Sequence, residues 1–188
     1  MGKKIVITGG LGYIGSELCK IYSGISWNNK ITVIDNRFVS ERVNQLRNWN
    51  INFVHGNILD KELINKYCKD ADVVHHLAGI TDVPRTISES SEEKDKKIKT
   101  VAQEGTQNIL DVITDSCKII FPSTHVVYEG LDKIQNEISE DTEVEPILSY
   151  ANSKANNEKQ LKNSGKNYVI LRLGSVYGYS TDTSRLDI

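Results

Sequence analysis

The sequence predicts an α/β protein, a doubly wound parallel β-sheet with helices on both faces. Three observations carry that expectation. Short β-branched runs alternate with longer stretches of helical period, the order that strand–helix–strand units of a parallel sheet require. The first run leads directly into a glycine cluster, Gly9-Gly10-Leu11-Gly12-Tyr13-Ile14-Gly15. The chain has 188 residues at 38% hydrophobic content, enough to bury one core, so a single domain over residues 1–188 is expected.

In chain order, Lys4–Thr8 (KIVIT) is the first strand, and the glycines separate it from a helix over Tyr13–Ser23. Lys30–Asp35 (KITVID) is the second strand, followed by a helix over Glu41–Trp49. Ile51–His55 and Asp72–His76 flank a helix at Lys61–Lys69. A long helix over Glu92–Ile113 leads to a strand at Lys118–Ser123. The last pair is a helix over Tyr150–Ser164 and a strand over Tyr168–Leu173. Right-handed crossovers leave few ways to arrange such a series, and the doubly wound sheet is the simplest. The sequence has no internal repeat and no low-complexity linker. One connection stands out: Glu129 to Glu145 holds seven acids against the single Lys133, and a solvated loop is the expected reading.

Composition narrows the functional classes. A net charge of −2, with acids and lysines interspersed, gives no basic surface for nucleic acid or anionic membrane. Cys19, Cys68 and Cys117 are an odd number without metal-type spacing, which suits reduced thiols. No apolar run reaches the length of a membrane span, and the N-terminus lacks a signal-peptide core. The start MGKKIV resembles a myristoylation site except that Val6 stands where Ser or Thr is needed. A soluble cytoplasmic protein is expected.

A phosphate needs backbone N–H groups aimed at it and no Cβ in the way. A strand that ends in a glycine turn and opens a helix supplies both, and the helix dipole favours the negative charge. Gly10-x-Gly12-x-x-Gly15 fits the dinucleotide fingerprint, and Gly9-x-x-Gly12-x-x-Gly15 is a second register of the same kind. In either register Gly12 lets the backbone approach a pyrophosphate and Gly15 lets the helix pack on the strand. Asp35 ends the next strand, 20 residues after Gly15, where a carboxylate can accept bonds from adenosine ribose hydroxyls. That carboxylate repels a 2′-phosphate and favours NAD over NADP, while Arg37 nearby could neutralise one. GNILD (Gly56–Asp60) and HHLAG (His75–Gly79) also follow strands, at the edge where a ligand should lie. His75 and His76 are neighbours on a strand and point to opposite faces, which argues against a shared metal; no metal site is expected.

Residues that could use a cofactor follow. Tyr150 and Lys154 are four apart, one above the other on a helix face. A lysine ammonium beside a phenol favours phenolate and lowers the tyrosine pKa toward the range where it can exchange a proton with an alcohol. Thr124, 26 residues before Tyr150, ends the preceding strand, where its hydroxyl could share a proton or oxygen with Tyr150.

With TGGLGYIG, VIDN, GNILD, HLAG, STHVVY, YANSK and LRLGSVYG in order and spacing, the chain resembles the extended short-chain dehydrogenases/reductases, particularly the sugar-nucleotide epimerases and dehydratases such as UDP-glucose 4-epimerase. The resemblance runs over essentially the whole chain and implies a Rossmann-type domain. It implies that Thr124, Tyr150 and Lys154 form the catalytic set. It also implies NAD contacts from Gly9, Gly12, Tyr13, Ile14, Asp35, Asn36, Asn57, Ile58, Leu77, Ala78 and Gly79, with Tyr150 and Lys154 reaching the same cofactor. In such enzymes tyrosinate takes the sugar hydroxyl proton while hydride passes to the nicotinamide, and lysine holds the ribose. The 4-keto sugar then turns and is reduced on its other face. A UDP-sugar substrate and a homodimer, formed by the two long helices pairing with their copies, are further expectations from the resemblance.

Departures from the family pattern sharpen these expectations. Dehydratases of the family carry an Asp-Glu pair after the catalytic threonine, where His125-Val126 stands here, so dehydration is not expected. Asn57 replaces a more common aspartate, and Ala102 replaces an asparagine of the long helix. Ser175 stands where an asparagine usually meets the nucleotide-sugar. Family members usually run past three hundred residues, so most of the smaller substrate-binding domain is expected to be absent, and SRLDI at the end reads like the start of a helix. An epimerase or 4-reductase is the leading reading. A catalytically idle NAD-binding module and a dehydrogenase of a small non-nucleotide alcohol stay open beside it.

Overall fold

The structure, a computed structural model, describes residues 2–25, 28–81, 89, 91–131 and 137–179. Six strands form one parallel sheet in the order β3-β2-β1-β4-β5-β6. The strands are β1 (Lys4–Thr8), β2 (Lys30–Asp35), β3 (Asn52–His55), β4 (Val73–His76), β5 (Lys118–Thr124) and β6 (Asn167–Leu173). Between them run α1 (Tyr13–Ile25), α2 (Ser40–Asn48), α3 (Lys61–Cys68), α4 (Glu92–Val112) and α5 (Ser149–Asn163), with a 3₁₀ turn at His125–Tyr128. The order reverses between β1 and β4, which opens a crevice at the carboxyl ends of those strands. Every element expected from the sequence is present, with ends displaced by two residues at most. The expected start of a helix at the C-terminus, and Asp132 and Lys133 of the acidic connection, lie outside the described residues.

Alternation along β1 divides the core in two. Ile5 and Ile7 face α1 and α2 and pack with Leu11, Cys19, Ile31, Val33, Val43 and Leu46. Val6 faces the other side, where Ile34, Val74, Ile119 and Phe121 meet Ile64 of α3, Ile109 of α4 and Leu161 of α5. This period of two is what a sheet covered on both faces dictates. Burying each such aliphatic side chain contributes about 1.5–3 kcal/mol, so truncating Ile109, which is fully enclosed, would cost about 2–5 kcal/mol. The cysteines are buried and unbridged, and burial raises the thiols of Cys19 and Cys68 to about 12 and that of Cys117 to about 11. They act as small apolar core residues.

Helix starts differ in who supplies the negative charge. Asp60 caps α3 by accepting from the Leu63 N–H at 3.0 Å, and Ser91 caps α4 by accepting from the Lys94 N–H at 3.3 Å. Glu41, Glu62 and the Glu92, Glu93, Asp95 group sit in the first turns of α2, α3 and α4. The first turn of α1 carries no acid, so its positive end is left for something else. α5 has no acid in its first turn either, but Glu129 reaches it from the loop. The Glu129 Oε1 accepts from the backbone N–H groups of Ile147 and Leu148 at 3.0 and 2.7 Å. Most acids of that connection are exposed as expected, but Glu129 is a structural tie. Among the described residues no helix is long and apolar enough to cross a membrane.

Candidate active site

The glycine turn leaves β1 at its carboxyl end, in the crevice between β1 and β4. Gly9 has φ +71°, and a Cβ there would lie 2.7 Å from the Ala78 nitrogen, so the turn lies against the end of β4. Only glycine fits both the left-handed backbone and that approach. The Gly12 N–H donates to the Gly9 carbonyl at 3.1 Å, and a Cβ on Gly15 would stand 2.5 Å from that same oxygen. Gly12 and Gly15 thus converge on the Gly9 carbonyl, and a Cβ on Gly10 would stand 2.6 Å from the Val33 side chain, so the glycines of both registers are closely packed. Tyr13 and Ile14 then begin α1 over the crevice, Ile14 exposed and the Tyr13 hydroxyl donating to the Gly178 carbonyl beyond β6.

Asp35 is buried at the end of β2 and tied into the turn. One carboxylate oxygen accepts from the Leu11 N–H at 3.0 Å and the other from the Arg37 N–H at 2.9 Å. A carboxylate has about four lone-pair positions, so each oxygen keeps capacity for a ligand hydroxyl. The Arg37 guanidinium stands 3.6 Å from Asp35 and would lie 3.6 Å from a Cβ on Gly12, beside the turn. Asn36 is exposed, and its carbonyl accepts from His55 Nε2 at 3.0 Å. Arg42 of α2, which the sequence reading passed over, is buried and donates to the Leu11 carbonyl. Its spacing from the glycines carries no signal, because the contact spans 31 residues.

Asn57 is exposed and its side chain accepts from the Leu59 N–H at 3.0 Å, shaping the turn before α3. Ile58 is buried in the core against Gly105, and its carbonyl accepts from Asn108 at 3.0 Å. Any cofactor contact from Ile58 is therefore left to its backbone or the rim of its side chain. Leu77 and Ala78 are half-buried; their N–H groups donate to the Thr8 carbonyl and hydroxyl at 3.1 and 3.2 Å. The adjacent histidines do face opposite ways: His75 bonds Tyr22 of α1 at 2.7 Å, and His76 lies against Phe121. No group of metal-ligating side chains occurs among the described residues.

His76 is wired on both nitrogens, Nδ1 to the Thr8 hydroxyl at 2.9 Å and Nε2 to the Thr106 hydroxyl at 3.0 Å. Asn157 of α5 donates to that Thr106 hydroxyl at 2.9 Å and to the Ala102 carbonyl at 2.9 Å. A buried polar chain thus joins β1, β4, α4 and α5. Burial lowers His76 to about 3, the Lys154 charge adding to the effect, so the imidazole is neutral.

Tyr150 and Lys154 line one narrow cleft with His76, Ala78, Gly79 and Phe121. The Lys154 ammonium is 5.9 Å from the centre of the Tyr150 ring and 4.4 Å from that of Phe121, and it donates to the Pro122 carbonyl at 2.8 Å. Burial lowers it to about 8, with Glu158 pulling the other way. Thr124 is buried at the end of β5 and is not among the residues that line this cleft, and its hydroxyl accepts from the Val126 N–H at 3.2 Å. Ser175 is exposed in the segment after β6, away from the cleft lining. Glycine turn, Asp35, Tyr150 and Lys154 therefore share the carboxyl edge of one sheet, with Thr124 at the same edge.

The chain is 32% identical to a dTDP-D-glucose 4,6-dehydratase of Dictyostelium discoideum, over 94% of this chain and 44% of that protein. It is 29% identical to a UDP-glucose 4-epimerase of Lactobacillus helveticus, over 96% of this chain and 54% of the relative. Among solved structures, a UDP-N-acetylglucosamine 4-epimerase from Methanobrevibacter ruminantium in complex with UDP-N-acetylmuramic acid matches with a TM-score of 0.78 at 29% identity, over 96% of this chain and 57% of that one. A UDP-glucuronic acid 4-epimerase from Bacillus cereus in complex with UDP-glucuronic acid and NAD matches with a TM-score of 0.75 at 27% identity, over 96% and 60%. The chain spans about half the length of the curated relatives it matches. Residues 5–187, from β1 past the end of β6, match a family as a unit, and the chain belongs to the NAD dependent epimerase/dehydratase family.

Proposed function

We propose that residues 1–188 are the NAD-binding domain of a nucleotide-sugar epimerase or 4-reductase, with Thr124, Tyr150 and Lys154 as its catalytic residues. The observation that carries this reading is the shared cleft: phenol and ammonium face the Ala78–Gly79 edge against which the glycine turn packs. The turn fits a dinucleotide, since Gly12 presents no side chain and the start of α1 keeps its positive end without an acid. Gly9, Gly12, Tyr13 and Ile14 would hold the diphosphate, with Arg37 beside them. Asp35 and Asn36 would take the adenosine ribose, Asn57 and the backbone of Ile58 the adenine, and Leu77, Ala78 and Gly79 the path to the nicotinamide. Bound NAD supplies reversible two-electron oxidation of a sugar alcohol.

The chain's own residues handle the proton. Tyr150 as phenolate accepts it from the sugar hydroxyl, and Lys154 stabilises that phenolate and can hold the nicotinamide ribose. The ammonium bonds the Pro122 carbonyl, and turning toward a ribose would exchange that bond for others. Thr124 would orient the substrate oxygen, its hydroxyl keeping a donor while it accepts from Val126. His125-Val126 supplies no carboxylate pair after Thr124, so epimerisation is favoured over loss of water. The substrate class is a nucleotide-sugar, with a UDP-sugar as the specific candidate and Ser175 as a contact.

α4 and α5 pack side by side, and Gln103, Gln107, Asn156, Lys159, Gln160 and Asn163 line an open groove along them. A homodimer through this face, held by side-chain amides, is part of the proposal; light scattering that gives a monomer at tens of micromolar would rule it out. For the enzyme reading, the test is Tyr150→Phe. The variant should bind NAD in calorimetry with affinity close to wild type. It should lose UDP-sugar turnover by at least about a hundredfold in protein that carries a substrate-binding portion like that of the relatives. If turnover is absent from both proteins while NAD still binds, the idle binding module replaces the enzyme. Turnover of simple alcohols in preference to UDP-sugars would point to the small-alcohol dehydrogenase.

A further inference from the structure

The face of α5 that carries Tyr150 and Lys154 carries a third residue one turn on, Glu158, at the same spacing of four. Glu158 is almost wholly buried and is gripped from two strands. The Ser123 hydroxyl donates to its Oε1 at 2.5 Å, and Arg172 donates to both oxygens, from Nε at 3.0 and 3.2 Å and from Nη2 at 2.7 Å. Ser123 of β5 and Arg172 of β6 are direct neighbours in the sheet register. One residue before Ser123, the Pro122 carbonyl accepts from Lys154. Lys154 and Glu158 therefore hold consecutive residues of β5, and the next residue is Thr124. Arg172 also donates to the Tyr128 hydroxyl at 2.5 Å and to the Glu140 carbonyl at 3.0 Å.

We propose that Glu158, locked by Arg172 and Ser123, is the positioning residue that sets the register of the catalytic helix on β5 and supplies the anion opposing the burial of Lys154. The catalytic consequence rests on the function proposed above, but the geometry does not. A buried carboxylate with one bidentate cation is an expensive way to fasten a helix if fastening were all it did. Burial acts to raise Glu158, but the hydrogen bonds from Arg172 and Ser123 outweigh it and hold the carboxylate ionised, below its usual range. Among the described residues, the groups facing Lys154 are Tyr150 and Glu158 on its own helix, neutral His76 on β4, and the Phe121 ring and Pro122 carbonyl on β5. Glu158 is the anion among them, and Arg172 acts on Lys154 through it.

Charge and mere support give opposite expectations, and the titration of the Lys154 ammonium separates them. It can be followed by NMR in the cofactor-free, lysine-labelled 188-residue chain, with Lys154→Gln assigning the signal. Glu158→Gln removes the anion but keeps the shape, and should lower the midpoint from about 8 by at least about half a pH unit. Arg172→Gln removes the cation that neutralises Glu158 and should raise the midpoint, while Arg172→Lys should restore it. If the pair only braces the helix, both glutamine variants loosen the site, admit water and move Lys154 upward together. That result, or no movement in either folded variant, would overturn the proposal. Should Glu158→Gln fail to fold, Arg172→Gln against Arg172→Lys decides, since a brace alone predicts no recovery specific to charge. The readout contains no turnover, so an intact titration result beside an inert Tyr150 would sink the enzyme reading and leave this one standing.

Discussion

The two halves of the sheet build their parts of the site by different means. In the β1–β3 half, the cradle is made mostly by backbone: Gly12 and Gly15 converge on the Gly9 carbonyl, and Asp35 fixes the turn through the Leu11 N–H. In the β4–β6 half, side chains do the holding, through the His76–Thr106–Asn157 chain and the Ser123–Glu158–Arg172 cluster. Backbone geometry tolerates a change of pH but not an added methyl group. Side-chain networks have the opposite weakness, because their titratable members, His76 and Glu158, must each keep one protonation state.

The largest effect expected breaks the backbone half. Gly9→Val places a branched side chain at φ +71° and against the backbone of Ala78. Urea unfolding should show a loss of about 3 kcal/mol or more, and NAD binding should fall with it. A valine variant of wild-type stability and affinity would mean that the turn is not as closely held as its geometry requires.

The second effect belongs to the other half. The folded value of His76, about 3, lies below its unfolded value near 6.5, so folding favours the neutral ring. Its contribution is complete above pH 6.5 and is lost as pH falls from 6.5 toward 3. The limiting slope is about 1.4 kcal/mol per pH unit, hence about 2 kcal/mol between pH 6.5 and 5. His75, lowered by burial against Tyr22, adds in the same direction. Urea midpoints measured at both pH values should show this drop, and His76→Gln should flatten it. An acid limb unchanged by that substitution would place the lability elsewhere.

The smallest effect sharpens the comparison at the cofactor. If Asp35 sets the choice, calorimetry should give NAD about tenfold tighter binding than NADP, roughly 1.4 kcal/mol, and Asp35→Gly should narrow the gap. Tighter binding of NADP by the wild-type chain would promote Arg37 to the deciding residue.

The difference between the halves also explains what could be read in advance. Gly9, Gly12, Gly15 and Asp35 announced themselves because local backbone rules require those residue types at short, fixed spacings. Tyr150 and Lys154 were legible for the same reason, being one helical turn apart. Arg42, Thr106, Asn157 and Arg172 were not, since each acts on a partner distant in the chain, and nothing in the local sequence marks a serine, threonine or asparagine as buried. Glu158 had a weak signal in its spacing of four from Lys154, yet nothing in the sequence told it from a solvated helix acid. Glu129 was read with its neighbours as part of a charged loop, and only folding showed it gripping the lead-in to α5.

The sequence by itself determined the strand–helix order, the parallel doubly wound sheet, the glycine turn and the tyrosine–lysine spacing, because hydrophobic period, glycine stereochemistry and helical pitch act over a few residues. Tertiary structure alone decided how closely the glycine turn packs against the end of β4, which acids are structural, and that His76 is neutral and Glu158 ionised. Those outcomes depend on desolvation and on partners brought in from other strands, and neither exists until the sheet has closed over them.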